Sequence, residues 1–103
     1  MVVYNVTINV HDAIASEWVH WMKEIHLPMV MATGMFTSHS MFKLLTRQDD
    51  EDGVTYCIQY FANTIADYEK YKAEFAPALQ AETQKLFGGK FHAFRTVMET
   101  VDN

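Results

Sequence analysis

Residues 2–10 alternate, Val2, Tyr4, Val6, Ile8 and Val10 against Val3, Asn5, Thr7 and Asn9, the period-2 pattern of a half-buried strand. The period then changes. Ile14, Trp18, Trp21, Met22, Ile25 and Met29 recur at helical spacing and form one broad stripe, as on a helix laid against a sheet. Asp12 or Ser16 can cap its start. Pro28 lacks an amide donor and disfavours the helical state of Leu27, which predicts a kink or break there and then an irregular turn closed by Gly34. Residues 35–47 read as a second strand, and residues 48–53 as an acidic hairpin connection ending in Asp-Gly. Val54 to Phe61, rich in β-branched and aromatic residues, is a third strand. Thr64, with Asp67 three residues on, opens a second helix in the manner of a capping box. Its apolar stripe is Tyr68, Tyr71, Phe75, Leu79 and Leu86, and Pro77 splits it by serving as the first residue of a second half. Gly88-Gly89 ends that half in the left-handed conformation glycine tolerates, and Phe91 to Val101 is a fourth strand.

The order βαββαβ, with right-handed crossovers, places both helices on one face of a four-stranded antiparallel sheet: an α+β, ferredoxin-like sandwich. The expectation is a single domain over residues 1–103, a length at which roughly 60–70% of the unfolded chain's surface is buried without metal or disulfide staples. The second sheet face is left uncovered. It offers Val3, Asn5, Thr7 and Asn9 from strand one and Thr55, Cys57, Gln59 and Phe61 from strand three. Half the residues are hydrophobic and seven are methionine, more apolar material than one small core needs. A second copy packed face to face absorbs that surplus and makes a barrel-like homodimer.

Charge and cysteine usage narrow the partners. Thirteen acidic residues stand against eight basic ones, for a formal charge of −5, and no Lys/Arg cluster suited to phosphates is present, which argues against nucleic acid. Gly53 to Tyr60 matches the third-strand motif of RNA-recognition domains poorly, since valine takes an aromatic position and acid precedes the glycine. The lone Cys57 excludes an intrachain disulfide framework and fits a reducing compartment. The chain starts as a strand and lacks the basic region of a signal peptide, and no apolar run reaches eighteen residues. The expectation is a soluble, cytoplasmic protein with no membrane segment.

Several spaced sets carry a resemblance: Tyr4-Asn5-Val6-Thr7-Ile8-Asn9, Trp18-x-x-Trp21-Met22, His26-x-Pro28, Thr33-Gly34-x-Phe36, Gln59-Tyr60, Ala76-Pro77 and Phe87-Gly88-x-Lys90-Phe91-x-Ala93-Phe94-Arg95-Thr96. Over nearly its whole length the chain resembles a family of short bacterial proteins known as a domain of unknown function, within the dimeric α/β-barrel superfamily. The resemblance implies that fold and a homodimer, and it brings no activity or catalytic residues. The wider superfamily includes cofactor-free monooxygenases of polycyclic phenols, haem-handling proteins and stress-induced proteins, a kinship of fold rather than of function.

His26, just before Pro28 and at the edge of the apolar stripe, is the candidate catalytic residue: a general base at the mouth of a cleft, or a holder of a polar ligand. Its bland role is to bond carbonyls freed by the proline. Trp18, Trp21, Tyr4, Tyr56, Tyr60, Tyr68 and Tyr71 are candidates for lining an apolar pocket for a planar ligand, or are plain core, with Trp18, Trp21, Tyr4 and Tyr60 foremost. His39 joins that pocket if it faces inward. Arg95, mid-strand, pairs with Glu82 or across a dimer, or anchors an acidic ligand. No metal is expected: His20 and His26 point about 120° apart on a helix, and the other histidines lie on separate elements. No cofactor is expected, although a single axial histidine for haem stays open. Two readings follow. One is a homodimeric binding or accessory module with an aromatic-lined cleft. The other is a cofactor-independent monooxygenase-like enzyme acting on an aromatic substrate with His26 as base.

Overall fold

The computed structural model describes residues 1–46 and 52–101. Its strands are β1 (Val2–Val10), β2 (Ser38–Lys43), β3 (Val54–Ala62) and β4 (Phe91–Glu99), and its α-helices are α1 (Ala15–Trp21), α2 (Leu27–Ala32), α3 (Ile65–Lys70) and α4 (Ala76–Phe87). The sheet order is β2-β3-β1-β4 with every neighbouring pair antiparallel, the ferredoxin-like arrangement. Strand β2 starts three residues later than the pattern implied. Phe36 is drawn into the core, and the Thr37 amide is spent on the Phe61 carbonyl at 2.7 Å. The expected end of that strand at 47 and most of the acidic connection at 48–53 lie outside the described residues. Of that connection, Asp52 accepts from the Asn9 side chain at 3.1 Å, and Gly53 has φ +83°. A Cβ on Gly53 would come within 2.5 Å of the Val10 carbonyl oxygen, so this turn requires glycine.

Neither proline breaks its helix. Between α1 and α2 the chain runs through a π-helical turn, Met22–His26, in which the Leu27 amide donates to the Met22 carbonyl five residues back. The same device, Tyr71–Phe75 with Ala76 donating to Tyr71, joins α3 to α4. In each arm the turn sits directly before a proline in the first two positions of the next α-helix. The wider turn opens the space where the proline ring would otherwise collide with a carbonyl four residues earlier.

The extra residue in each π turn rotates everything after it by about 100°. Trp18 and Trp21 before the first turn and Met22 at its start are buried as the stripe implied, but Ile25 within the turn and Met29 beyond it are each 48% exposed, and Leu27 and Val30 take their places. In the second arm Tyr71 and Leu79 are buried, Leu86 is exposed, and Phe87 replaces it. The caps also divide. Thr64 accepts from the Asp67 amide at 3.2 Å as expected. Neither Asp12 nor Ser16 caps the first arm, because a 3-10 turn, Asp12–Ile14, leads into α1 and backbone groups satisfy its start.

Register fixes the two sheet faces. Tyr60, Tyr4 and Val97 lie side by side under the helices, as do Ile58, Val6 and Arg95. On the opposite face Phe42, Cys57, Thr7 and Phe94 form one row, and Ser40, Gln59, Asn5 and Thr96 another. Asn5 donates to Thr7 Oγ1 at 3.0 Å and to Thr96 Oγ1 at 3.3 Å, a polar ladder at the centre of that face.

Candidate functional site

Both π turns face one cavity between the helices and the sheet. Its floor is Tyr4, Val6 and Ile8 of β1 with Ile58 and Tyr60 of β3. The first π turn contributes Met22 and His26, the second contributes Tyr71, and α4 adds Leu79, Gln80 and Thr83. Phe91 and Arg95 of β4 close the side, with the exposed Gln80 and Arg95 at the mouth. A π turn presents side chains that a regular helix would turn away, and here it turns His26 towards the sheet. The cavity measures about 40 Å³, two or three times the space one water needs.

His26 is half-buried and packs on the Trp21 indole, with ring centroids 4.9 Å apart, while Trp21 meets the edge of Phe87 at 5.2 Å. Burial, and then the positive charge of Arg95, push the imidazole down from 6.5 to about 4, so at neutral pH it is uncharged. The tyrosines respond in the opposite sense. Burial raises Tyr60 and Tyr71 far above the ordinary phenol value, and each lies near other phenols that add to the effect. Burial raises Tyr4 as well, and Arg95 and Gln80 partly offset that rise by favouring its oxygen. Their hydroxyls therefore remain protonated donors. The rings of Tyr4, Tyr60 and Tyr71 belong to one aromatic cluster with Phe36 and Tyr68, in which Tyr4 lies 5.7 Å from Tyr60 and 5.1 Å from Tyr68.

Of the residues singled out from sequence, His26, Tyr4, Tyr60 and Arg95 converge on this cavity. Trp21 stands behind His26 and holds its ring, without lining the space. Trp18 is fully buried against Tyr56 at 5.0 Å, and its Nε1 meets no acceptor among the described residues. His39 lies on the helix side of the sheet, opposite Tyr60, but on the exposed edge strand and outside the cavity lining. Arg95 does not pair with Glu82; the ion pair among the described residues is Lys70–Glu74 at 3.9 Å. Tyr71 of the same aromatic set lines the cavity as well, and so do two residues not singled out, Gln80 and Thr83. Their signal was present: phased from Ala76, the positions 76, 79, 80, 83 and 87 form a helical stripe that carries two polar residues. Phasing from Tyr68 across the π turn hides it. Among the described residues, no group of three or more His, Cys, Asp or Glu side chains is placed to hold a metal ion.

Residues 1–101 match the model of a family described as a domain of unknown function, DUF4286. The chain belongs to that family. No curated protein matches it. Among solved structures it is similar to HapK from Hahella chejuensis, with a TM-score of 0.71 at 10% identity over 100% of this chain and 95% of that one. It is also similar to an ethyl tert-butyl ether degradation family protein from Bacillus halodurans, with a TM-score of 0.67 at 10% identity over 98% and 100% of the two chains. A third is SnoaB, a cofactor-independent oxygenase from Streptomyces nogalater, with a TM-score of 0.64 at 13% identity over 99% and 94%. At such identities these neighbours speak for the fold alone, the ferredoxin-like arrangement of four antiparallel strands and two helical arms.

Proposed function

We propose that this DUF4286 protein is a cytoplasmic, homodimeric small-molecule-binding or accessory module whose ligand enters the aromatic-lined cleft between sheet and helices. The observation that carries this reading is the convergence of three tyrosines, a neutral imidazole, one guanidinium and the polar side chains of Gln80 and Thr83 on a cavity otherwise walled by apolar side chains. Few polar groups in an apolar wall is the usual make-up of a small-molecule site. The uncovered sheet face supports the dimer: Phe94 is 63% and Phe42 53% exposed in one row of it, and Met98 is 43% exposed beside them. The single Cys57 supports the reducing compartment.

Native mass spectrometry of gently purified protein tests both parts. A dimer carrying an additional small-molecule mass is expected; a monomer at micromolar concentration would remove the homodimer from the reading. A second reading is a cofactor-independent enzyme acting on an aromatic substrate with His26 as base, supported by an uncharged imidazole at the cavity and by the fold shared with SnoaB. Its low basicity makes His26 a weak proton acceptor near pH 7. With a ligand in hand, His26→Ala separates the two: loss of turnover with binding retained favours the enzyme.

A further inference from the structure

The chain carries a formal charge of −5, yet among the described residues no Asp or Glu lines the cavity and Arg95 is its one charged lining residue. Arg95 has no carboxylate partner among the described residues. A guanidinium that has no carboxylate partner and is held beside the Tyr4 hydroxyl is a place for an anionic oxygen, and its planar fork matches a carboxylate in two parallel hydrogen bonds. The volume bounds the rest of the ligand. A cavity of about 40 Å³, open at its mouth, matches a short hydrocarbon piece better than a ring system. Arg95 lies at the mouth, next to Val6 across the strand pair, so a charged end held there leaves the apolar end against the floor.

We propose that the cavity recognises a small carboxylate with a short apolar body, its oxygens held by the Arg95 guanidinium and the Tyr4 hydroxyl and its hydrocarbon end against Val6, Ile8 and Ile58. This rests on the cleft being a ligand site and names the class of ligand it takes. The bound anion also offsets the Arg95 charge that His26 feels, so occupancy and protonation of His26 are linked.

The test uses butyrate and its neutral isostere butyramide at matched ionic strength, followed by amide and histidine NMR. Butyrate is expected to shift the resonances of lining residues saturably, with a dissociation constant on the order of 10 mM for so small a probe, and to raise the His26 titration midpoint. Butyramide is expected to bind at least tenfold more weakly. Arg95→Gln, checked for folding by its amide spectrum, is expected to abolish the preference for butyrate, and Arg95→Lys, which keeps charge and loses the fork, to retain part of it. Equal binding of the two probes, or an unchanged preference in Arg95→Gln, overturns the carboxylate assignment and leaves the cleft as a ligand site. No saturable shift at the lining residues with either probe removes the cleft reading as well.

Discussion

At the scale of the residue, His26 is where burial and charge act together. Its folded value of about 4 lies below the unfolded 6.5, so between these values the unfolded chain binds a proton that the folded chain refuses. The stability from a neutral His26 is whole above about pH 6.5 and is lost as pH falls towards about 4, by no more than roughly 3 kcal/mol. Denaturant midpoints measured from pH 7 to 4.5 are expected to fall in the wild type and to fall less steeply in His26→Gln. A histidine titration of Arg95→Gln is expected to give a higher midpoint, because the second cause of the shift is gone. A pH-independent stability would show that His26 is more open to water than its packing on Trp21 implies. That His26 turns away from solvent was legible from its place at the edge of the apolar stripe, just before Pro28. Its partner was not, since Arg95 is 69 positions away and reaches the same space only because β4 pairs with β1.

At the scale of the element, the two π turns decide which residues face the core. A helical wheel assumes one uninterrupted period, so it placed Trp18, Trp21 and Met22 correctly and then mis-phased Ile25 within the turn and Met29 beyond it. The prolines were the visible sign; that the chain answers them with an inserted residue instead of a break required the surrounding packing. Deleting the exposed Lys23 removes the insertion while keeping Leu27 and Val30 in phase with the core. The proline ring then meets a regular helix, and the variant is expected to lose about 3 kcal/mol in chemical denaturation. Combining the deletion with Pro28→Ala is expected to recover most of that loss. If the double variant is no more stable than the deletion alone, the π turn serves the cavity geometry and not the proline.

At the scale of the whole molecule, the helix-covered face and the bare face are separate problems. The bare face exposes Phe42, Phe94 and Met98 around the polar ladder of Asn5 and Thr96, so the proposed second copy would have to pair polar groups at the centre while burying the aromatic ones. Phe94→Asp leaves the protomer core untouched, because Phe94 is already exposed, and sedimentation is expected to show a folded monomer. An unchanged dimer would move the interface elsewhere. By itself the sequence determined the βαββαβ order, the turn glycine at 34, the Thr64 cap and the two sheet faces, because strand period, capping and left-handed turns are local consequences of side-chain shape and backbone sterics. Only the tertiary structure decided that His26, Tyr4, Tyr60 and Arg95 meet while Trp18 and His39 stay apart from them, and that Gln80 and Thr83 join the site. Those outcomes depend on strand register and on two inserted helical residues, which are settled by what packs across the sheet and not by any neighbour in the chain.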